Sequence, residues 1–441
     1  MLEDRFGQPL STDSDAAVGE YIRGMDLLLS SNLGALEAVD TAISEDPDFA
    51  LAHALRARAL QMLARIPEAK SAINRAVDLL TRATPREQAH IQVLVYLLDG
   101  RGSEAFMALQ AHLANYPRDA LPLSLALGVY GLIGFSGRLD LYEVQRDLLL
   151  QLAPHWGDDW WFNTYLGWSL VETGDCVAGA ELLDASLAIN PGNASAAHGR
   201  AHGYYEMGEA EAGLHFIDSW LPSYSPASPL HCHLAWHAAM FAFHLGDAER
   251  AMSEYAQHIR PENAHSSPMF TMIDNAAFLW RAITYGHPLC TSDSQTVVDY
   301  TKEHFPDAGL AFVNIHSAMA LAVSGDRDAM QRHLSQIGEL VTQDKQPPGR
   351  VIATIAEGFD KYAAKDFSKS SELLSAALPE LERIGGSHAQ GDVVIDCLIS
   401  AYLHSGDRAA AEAVLKQRSS SRACHLNQDW LDRLEATLGP V

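Results

Sequence analysis

The 441 residues include 48% apolar side chains, enough for a substantial core, and 31 Lys and Arg against 56 Asp and Glu, for a formal net charge of −25. That balance repels phosphate backbones and anionic lipid, and no dense Lys/Arg cluster offsets it, so neither nucleic acid nor a membrane surface is expected as a partner. No apolar run is long enough to span a bilayer, and five dispersed cysteines (Cys176, Cys232, Cys290, Cys397 and Cys424) read as reduced thiols in a cytoplasmic protein rather than a disulfide framework.

The N-terminal stretch MLEDRFGQPLSTDSD has neither a basic nor an apolar region, so no secretory signal is expected. Helical pairs then follow one another. Asp46-Pro47 precedes a first unit over Ala50–Leu79, with small residues at Ala57, Ala69 and Ala76. Ala83–Leu152 reads as helical without a clear register. From Trp161 to Asn193, WFNTYLGWSLVETGDCVAGAELLDASLAINPGN carries Leu166-Gly167, a turn at Gly174-Asp175, Gly179 and a closing Asn190-Pro191. This is the helix–turn–helix spacing of a tetratricopeptide unit of about 34 residues, in which small residues let the two helices approach closely.

A third unit starts at Ala194, with Ala201, Gly208 and Gly213 in the matching slots. The prolines of SWLPSYSPASPLHCH predict an irregular crossing. LAWHAAMFAFHLGDAERAMSEY forms a fourth unit around Ala239, Gly246 and Ala251, and Met269–Ala282 is helical. FVNIHSAMALAVSGDRDAM is a fifth, with Ala318 and Gly325; VTQDKQPPGR breaks the pattern, and weaker units cover Ile352–Leu378 and Asp392–Leu415. Strand-like alternation is rare. The expected fold is all-α: one continuous tetratricopeptide-like solenoid of helix–turn–helix repeats wound into a superhelix. Residues 1–158 match loosely and 159–435 form a core with a histidine-rich groove.

Histidine is the unusual residue. Nine of the 20 lie between His198 and His265. His198, His202 and Glu206 are spaced i, i+4, i+8, within roughly 80° of one helical face. His233, His237 and His244 share a face within roughly 40°. In tetratricopeptide repeats this stripe of the first helix faces the concave groove. The same register sets Trp161 and Trp168 there from the preceding unit, and His233, Trp236 and Met240 from the next.

Two histidines at i, i+4 with a carboxylate can chelate a divalent transition metal. A histidine beside Glu206 or Asp274 has a fixed tautomer and can move protons near neutral pH. Cys232, between His231 and His233, reads as a small semi-buried thiol rather than a nucleophile. No P-loop, dinucleotide fingerprint or GxSxG is present, so no nucleotide cofactor is expected.

From about Trp160 to Leu434 the chain resembles the tetratricopeptide repeat protein 38 family. AHGRAHGYYEMGE resembles its H-x3-H-x3-E-M helix, and HLAWHAAMF, with His233, Trp236 and His237, its H-x-x-W-H motif. Asp274 and Trp280-Arg281 in DNAAFLWR, His316, and GGSHAQGD with His388 and Asp392 are similar to further family positions; Gly391 stands where the family pattern has Arg. The resemblance implies a superhelix with a polar, histidine-lined centre. The combined expectation is a pocket for a small organic ligand. His198, His202, Glu206, His233, His237 and Asp274 are its catalytic candidates, and Trp161, Trp168, Trp236, Arg281, His316, His388 and Asp392 its ligand-binding candidates. A protein–protein scaffold without catalysis is the alternative; a protein partner and a second copy of the chain both stay open.

Overall fold

The computed structural model describes residues 2–421, 427–428 and 430–432; Cys424 and the last residues of the 159–435 core lie outside them. The described residues are helical apart from turns and one isolated bridge between Glu3 and Pro9. The helices in chain order are α1 Asp15–Leu29, α2 Ala35–Glu45, α3 Ala50–Met62, α4 Ile66–Asp78, α5 Pro85–Leu98, α6 Gly102–Leu113, α7 Ala120–Ser124, α8 Leu141–Leu152, α9 Trp160–Glu172, α10 Cys176–Ile189 and α11 Ala194–Met207. There follow α12 Ala210–Trp220, α13 His231–His244, α14 Ala248–Glu254, α15 Pro268–Thr284, α16 Thr291–His304, α17 Ala311–Ser324, α18 Arg327–Thr342, α19 Val351–Ala363, α20 Phe367–Ala377, α21 His388–Ser405 and α22 Arg408–Ser421. Successive helices pack as hairpins, among them α1 on α2, α3 on α4, α5 on α6, α13 on α14 and α19 on α20. The fold is a tetratricopeptide-like α-solenoid. No described helix is long and apolar enough to cross a membrane.

Local chemistry sets the helix ends. Thr84 and Ser387 head capping boxes with Glu87 and Gln390, satisfying amides that the first turn leaves open. Asp247, Asp326 and Asp366 cap α14, α18 and α20. Small residues hold the hairpins together. Ala57, Ala69, Ala76, Ala201, Ala239, Ala251 and Ala318 are fully buried. A Cβ on Gly213 would meet the Phe241 ring at 2.5 Å, and one on Gly358 would meet Leu374 at 2.4 Å. The prolines of 219–233 give only a short 3-10 turn at Leu221–Ser223 before α13, and 343–350 is a turn, as the sequence predicts.

One expectation is corrected. Ala83–Leu152 is not continuously helical: four helices lie in it, and Leu125–Asp140 is turns and bends. The stretch carries Gly128, Gly131, Gly134 and Gly137, and Gly128 and Gly137 both sit at φ 74°, a conformation glycine adopts without steric strain.

The chain forms two compact units. The first comprises Met1–Gly134, Glu143–Gly167 and Leu182–Ala196. Its interior holds a polar knot on Asp119. Arg86 donates to the Asp119 carboxylate at 2.7 Å, His112 Nε2 lies 3.0 Å from it, and His90 Nδ1 lies 3.1 Å from both oxygens. Burial opposes charge on Asp119, but the two histidines and Arg86 hold its carboxyl well below the usual carboxylate range. The second unit comprises Phe135–Tyr142, Trp168–Glu181 and Ala197–Val441.

Candidate metal centre

The histidine cluster lies in the second unit. An i, i+4 pair stacks on one face of a helix, and two helices bring such pairs together: His198 and His202 from α11, His233 and His237 from α13. One ring nitrogen from each of the four lies within 4.8 Å of the others. Ring centroids are 4.5 Å apart for His198 and His202, 4.7 Å for His202 and His237, 4.8 Å for His198 and His233, and 5.0 Å for His233 and His237. All of α13 is buried, so its imidazoles must find partners inside the protein.

Two carboxylates orient the cluster from behind. His202 Nδ1 lies 2.7 Å from Glu172, and His233 Nδ1 lies 2.8 Å from Asp274. A carboxylate accepts, so each pair places the proton on Nδ1 and turns a bare Nε2 to the centre. His202 Nε2 is 2.9 Å from His198 Nε2. His237 is fully buried, and neither of its ring nitrogens has a hydrogen-bond partner. Such orphaned groups each cost about 1–3 kcal/mol.

Electrostatics favour neutral rings at His198 and His237, the form in which imidazole binds a metal. Burial pushes His198 and His237 well below the usual imidazole range, and neighbouring histidines add to the push. Burial alone would raise the Glu172 carboxyl; the His202 ring, its hydrogen bond and His388 hold it low instead. An anionic Glu172 therefore stands ready to offset the charge of a bound cation. Around the rings lie aromatic side chains: Trp236 stacks on His233 at 5.4 Å, and Trp168 meets His202 edge-on at 6.2 Å. His202, His233 and His237 are buried, and His198 is half-buried.

Glu206, His388 and Asp392 are placed elsewhere, on a cavity of about 640 Å³ that none of the four histidines lines. Glu172 connects the two places: one oxygen faces His202, and the other accepts the His388 backbone N–H at 3.1 Å. Arg281 is buried, donates to the Ala389 carbonyl at 2.6 Å, pairs with Asp396 at 3.3 Å and lies over the Trp236 ring. His316 spends Nδ1 on the Phe312 carbonyl at 2.8 Å. Trp161 belongs to the first unit, where it is fully buried against Trp156 and Tyr165. Cys232 is a buried thiol, pushed up chiefly by burial and also by Asp274, which keeps it protonated. Cys176, Cys232, Cys290 and Cys397 are unbridged.

Glu172 escapes the sequence reading because it sits in an ordinary helix end, LVETGD. Its position four residues after Trp168 was the available signal, since that spacing shares a helical face.

No protein-family model matches the chain. Among solved structures it is similar to the human IFIT1 dimer with PPP-AAAA, at 14% identity and TM-score 0.40, over 100% of this chain and 98% of that one. It is also similar to yeast Tom70, at 14% identity and TM-score 0.35, over 95% of each chain. A tetratricopeptide repeat protein from Parabacteroides merdae matches at 14% identity and TM-score 0.34, over 72% of this chain and 98% of that one. The fold description rests on this chain's own helical hairpins, and these distant likenesses add nothing to the site.

Proposed function

We propose that the second unit is a metal-binding unit, holding one divalent transition-metal ion among His198, His202, His233 and His237. The observation that carries this reading is His237: a buried imidazole with two unpartnered nitrogens, among three more ring nitrogens within 4.8 Å. The paired carboxylates behind His202 and His233 support it, because histidine ligands commonly pass their other N–H to such a group. A set of imidazole ligands suits Zn²⁺, Fe²⁺, Cu²⁺ or Ni²⁺ better than Mg²⁺ or Ca²⁺. Acid–base chemistry at the two histidine–carboxylate pairs, acting on a small organic ligand, is the metal-free form of the same site. It gives His237 no partner. Likeness to the tetratricopeptide repeat protein 38 family is part of the proposal, supported by the convergence of its motif residues His198, His202, His233, His237 and Asp274.

A second reading, a protein-interaction scaffold without catalysis, is supported by the tandem hairpins themselves, an architecture suited to extended docking surfaces. Elemental analysis separates the two. Protein purified without a histidine tag and loaded with Zn²⁺ is expected to retain about one equivalent after gel filtration. Glu172→Gln and Asp274→Asn are expected to bind Zn²⁺ about 10–100-fold more weakly while keeping their helicity. Absence of stoichiometric binding for Zn²⁺, Cu²⁺, Ni²⁺ and Fe²⁺ alike would remove the metal reading and leave the scaffold.

A further inference from the structure

A second group of histidines stands apart from the four-histidine cluster. His231 opens α13, and His258 lies in a π-helical turn, Tyr255–Ile259, that follows α14. Their rings meet edge-on with centroids 5.3 Å apart. His265 sits on the connection to α15. That connection is tied down beside α13: the Asn263 and Ala264 backbone N–H groups both donate to the Arg260 carbonyl, and Ser266 Oγ donates to the Pro229 carbonyl at 2.8 Å, two residues before His231. His231 and His233 are two positions apart, about 200° around the helix, so His231 turns to Tyr224 and His258 rather than to the four-histidine cluster.

None of these three imidazoles has a hydrogen-bond or ion-pair partner among the described residues. His231 is only 6% exposed, and buried polar groups are ordinarily paired. Burial pushes it down to about 4, and His258 and His265 add to the push, which places both neighbours within its reach. The π turn is an independent pointer, since such turns are rare and collect at functional sites. Here the Arg260 N–H closes the wide turn on the Tyr255 carbonyl at 3.1 Å, and Asn275 Nδ2 donates to the Ile259 carbonyl at 2.6 Å. His258 is held beside His231 on a clamped backbone.

Among the described residues, only the buried four have ring nitrogens all within 4.8 Å of one another. An ion therefore closes the second group only when His265, which is exposed, turns in. We propose that His231, His258 and His265 form a second, solvent-facing site for a divalent transition metal, completed by that rotation and by a water. Three imidazoles and a water are a set that Zn²⁺ accepts, and the net charge of −25 draws cations to the surface. Ordering an exposed side chain costs entropy, so this ion exchanges readily, unlike one enclosed by four inward-facing rings. Its binding does not depend on the buried centre being occupied.

The test uses the untagged full chain, loaded with Zn²⁺, passed through gel filtration and then titrated with Zn²⁺ by calorimetry. One further equivalent is expected, roughly 100-fold weaker than any retained ion, and none with Mg²⁺. His265→Ala changes an exposed position and is expected to weaken this step about 10-fold, and His258→Ala to abolish it, with circular dichroism unchanged. In wild type, the added Zn²⁺ is expected to protect His265 from diethyl pyrocarbonate, which modifies accessible imidazoles. No further equivalent, an equivalent undiminished in folded His265→Ala, or labelling of His265 unchanged by Zn²⁺ would each overturn the proposal. Zn²⁺ retained through gel filtration reports the buried centre separately, so failure of one reading is not mistaken for failure of the other.

Discussion

A chain carrying both His202→Ala and His237→Ala is expected to lose metal binding at the buried cluster outright. Its Zn²⁺ affinity should fall by at least a thousandfold and its retained metal to near zero, with far-ultraviolet circular dichroism unchanged. The reason is geometric. His202 is the one ring that both faces Glu172 and touches His198, and His237 closes the cluster from α13. Removing one ring from each helix leaves a single imidazole on either side, too few donors to compete with water for a borderline cation. Helicity should survive because alanine is the best helix former and both positions are interior to their helices. Competition with a chromophoric chelator measures the affinity directly. Retention of a full equivalent in the folded double variant would mean that the metal sits elsewhere.

The second large effect is expected in the first unit. Asp119→Ala should destabilise that unit by about 3–5 kcal/mol, because it strands a buried guanidinium and two buried imidazoles without their common partner. Arg86, His90 and His112 are all nearly inaccessible and cannot turn to solvent. Asp119→Asn should do less harm, since an amide oxygen still accepts one hydrogen bond. Hydrogen exchange followed by mass spectrometry on α5 and α6 reads the change locally, which matters in a chain of two units whose unfolding need not be two-state. Exchange in α13 and α15 is expected to stay unchanged. Protection of α5 and α6 equal to wild type in Asp119→Ala would show that the knot contributes nothing.

Much of this was legible in the residues. Small residues at fixed intervals announced the hairpins, and they are buried where the helices approach most closely, as at Ala201, Ala239 and Gly213. The two H-x3-H pairs were visible because a helix repeats its face every three to four residues. Asp274 was visible as a candidate carboxylate. What the spacing could not carry was the meeting of α11 with α13, or the division of labour among the acids. Glu206 shares a face with His198 and His202, yet it is directed to the cavity. Glu172, 30 positions before His202, takes the role expected of it. A tertiary pairing of that kind depends on how hairpins stack, and no local period encodes it. Trp161 shows the same limit from the other side: its spacing matched Trp168, but it packs with Trp156 and Tyr165 in the first unit. The glycines of 125–140 were a local signal, and their density marks the turns that interrupt the helical stretch.

X-ray absorption at the metal edge of the loaded protein tests the central claim most directly. Convergence of His198, His202, His233 and His237 on one ion predicts a first shell of four nitrogens at about 2.0–2.1 Å, with imidazole multiple scattering and no sulfur, and one fewer imidazole in His237→Ala. A shell of sulfur or of mainly carboxylate and water oxygen, unchanged by that substitution, would contradict it.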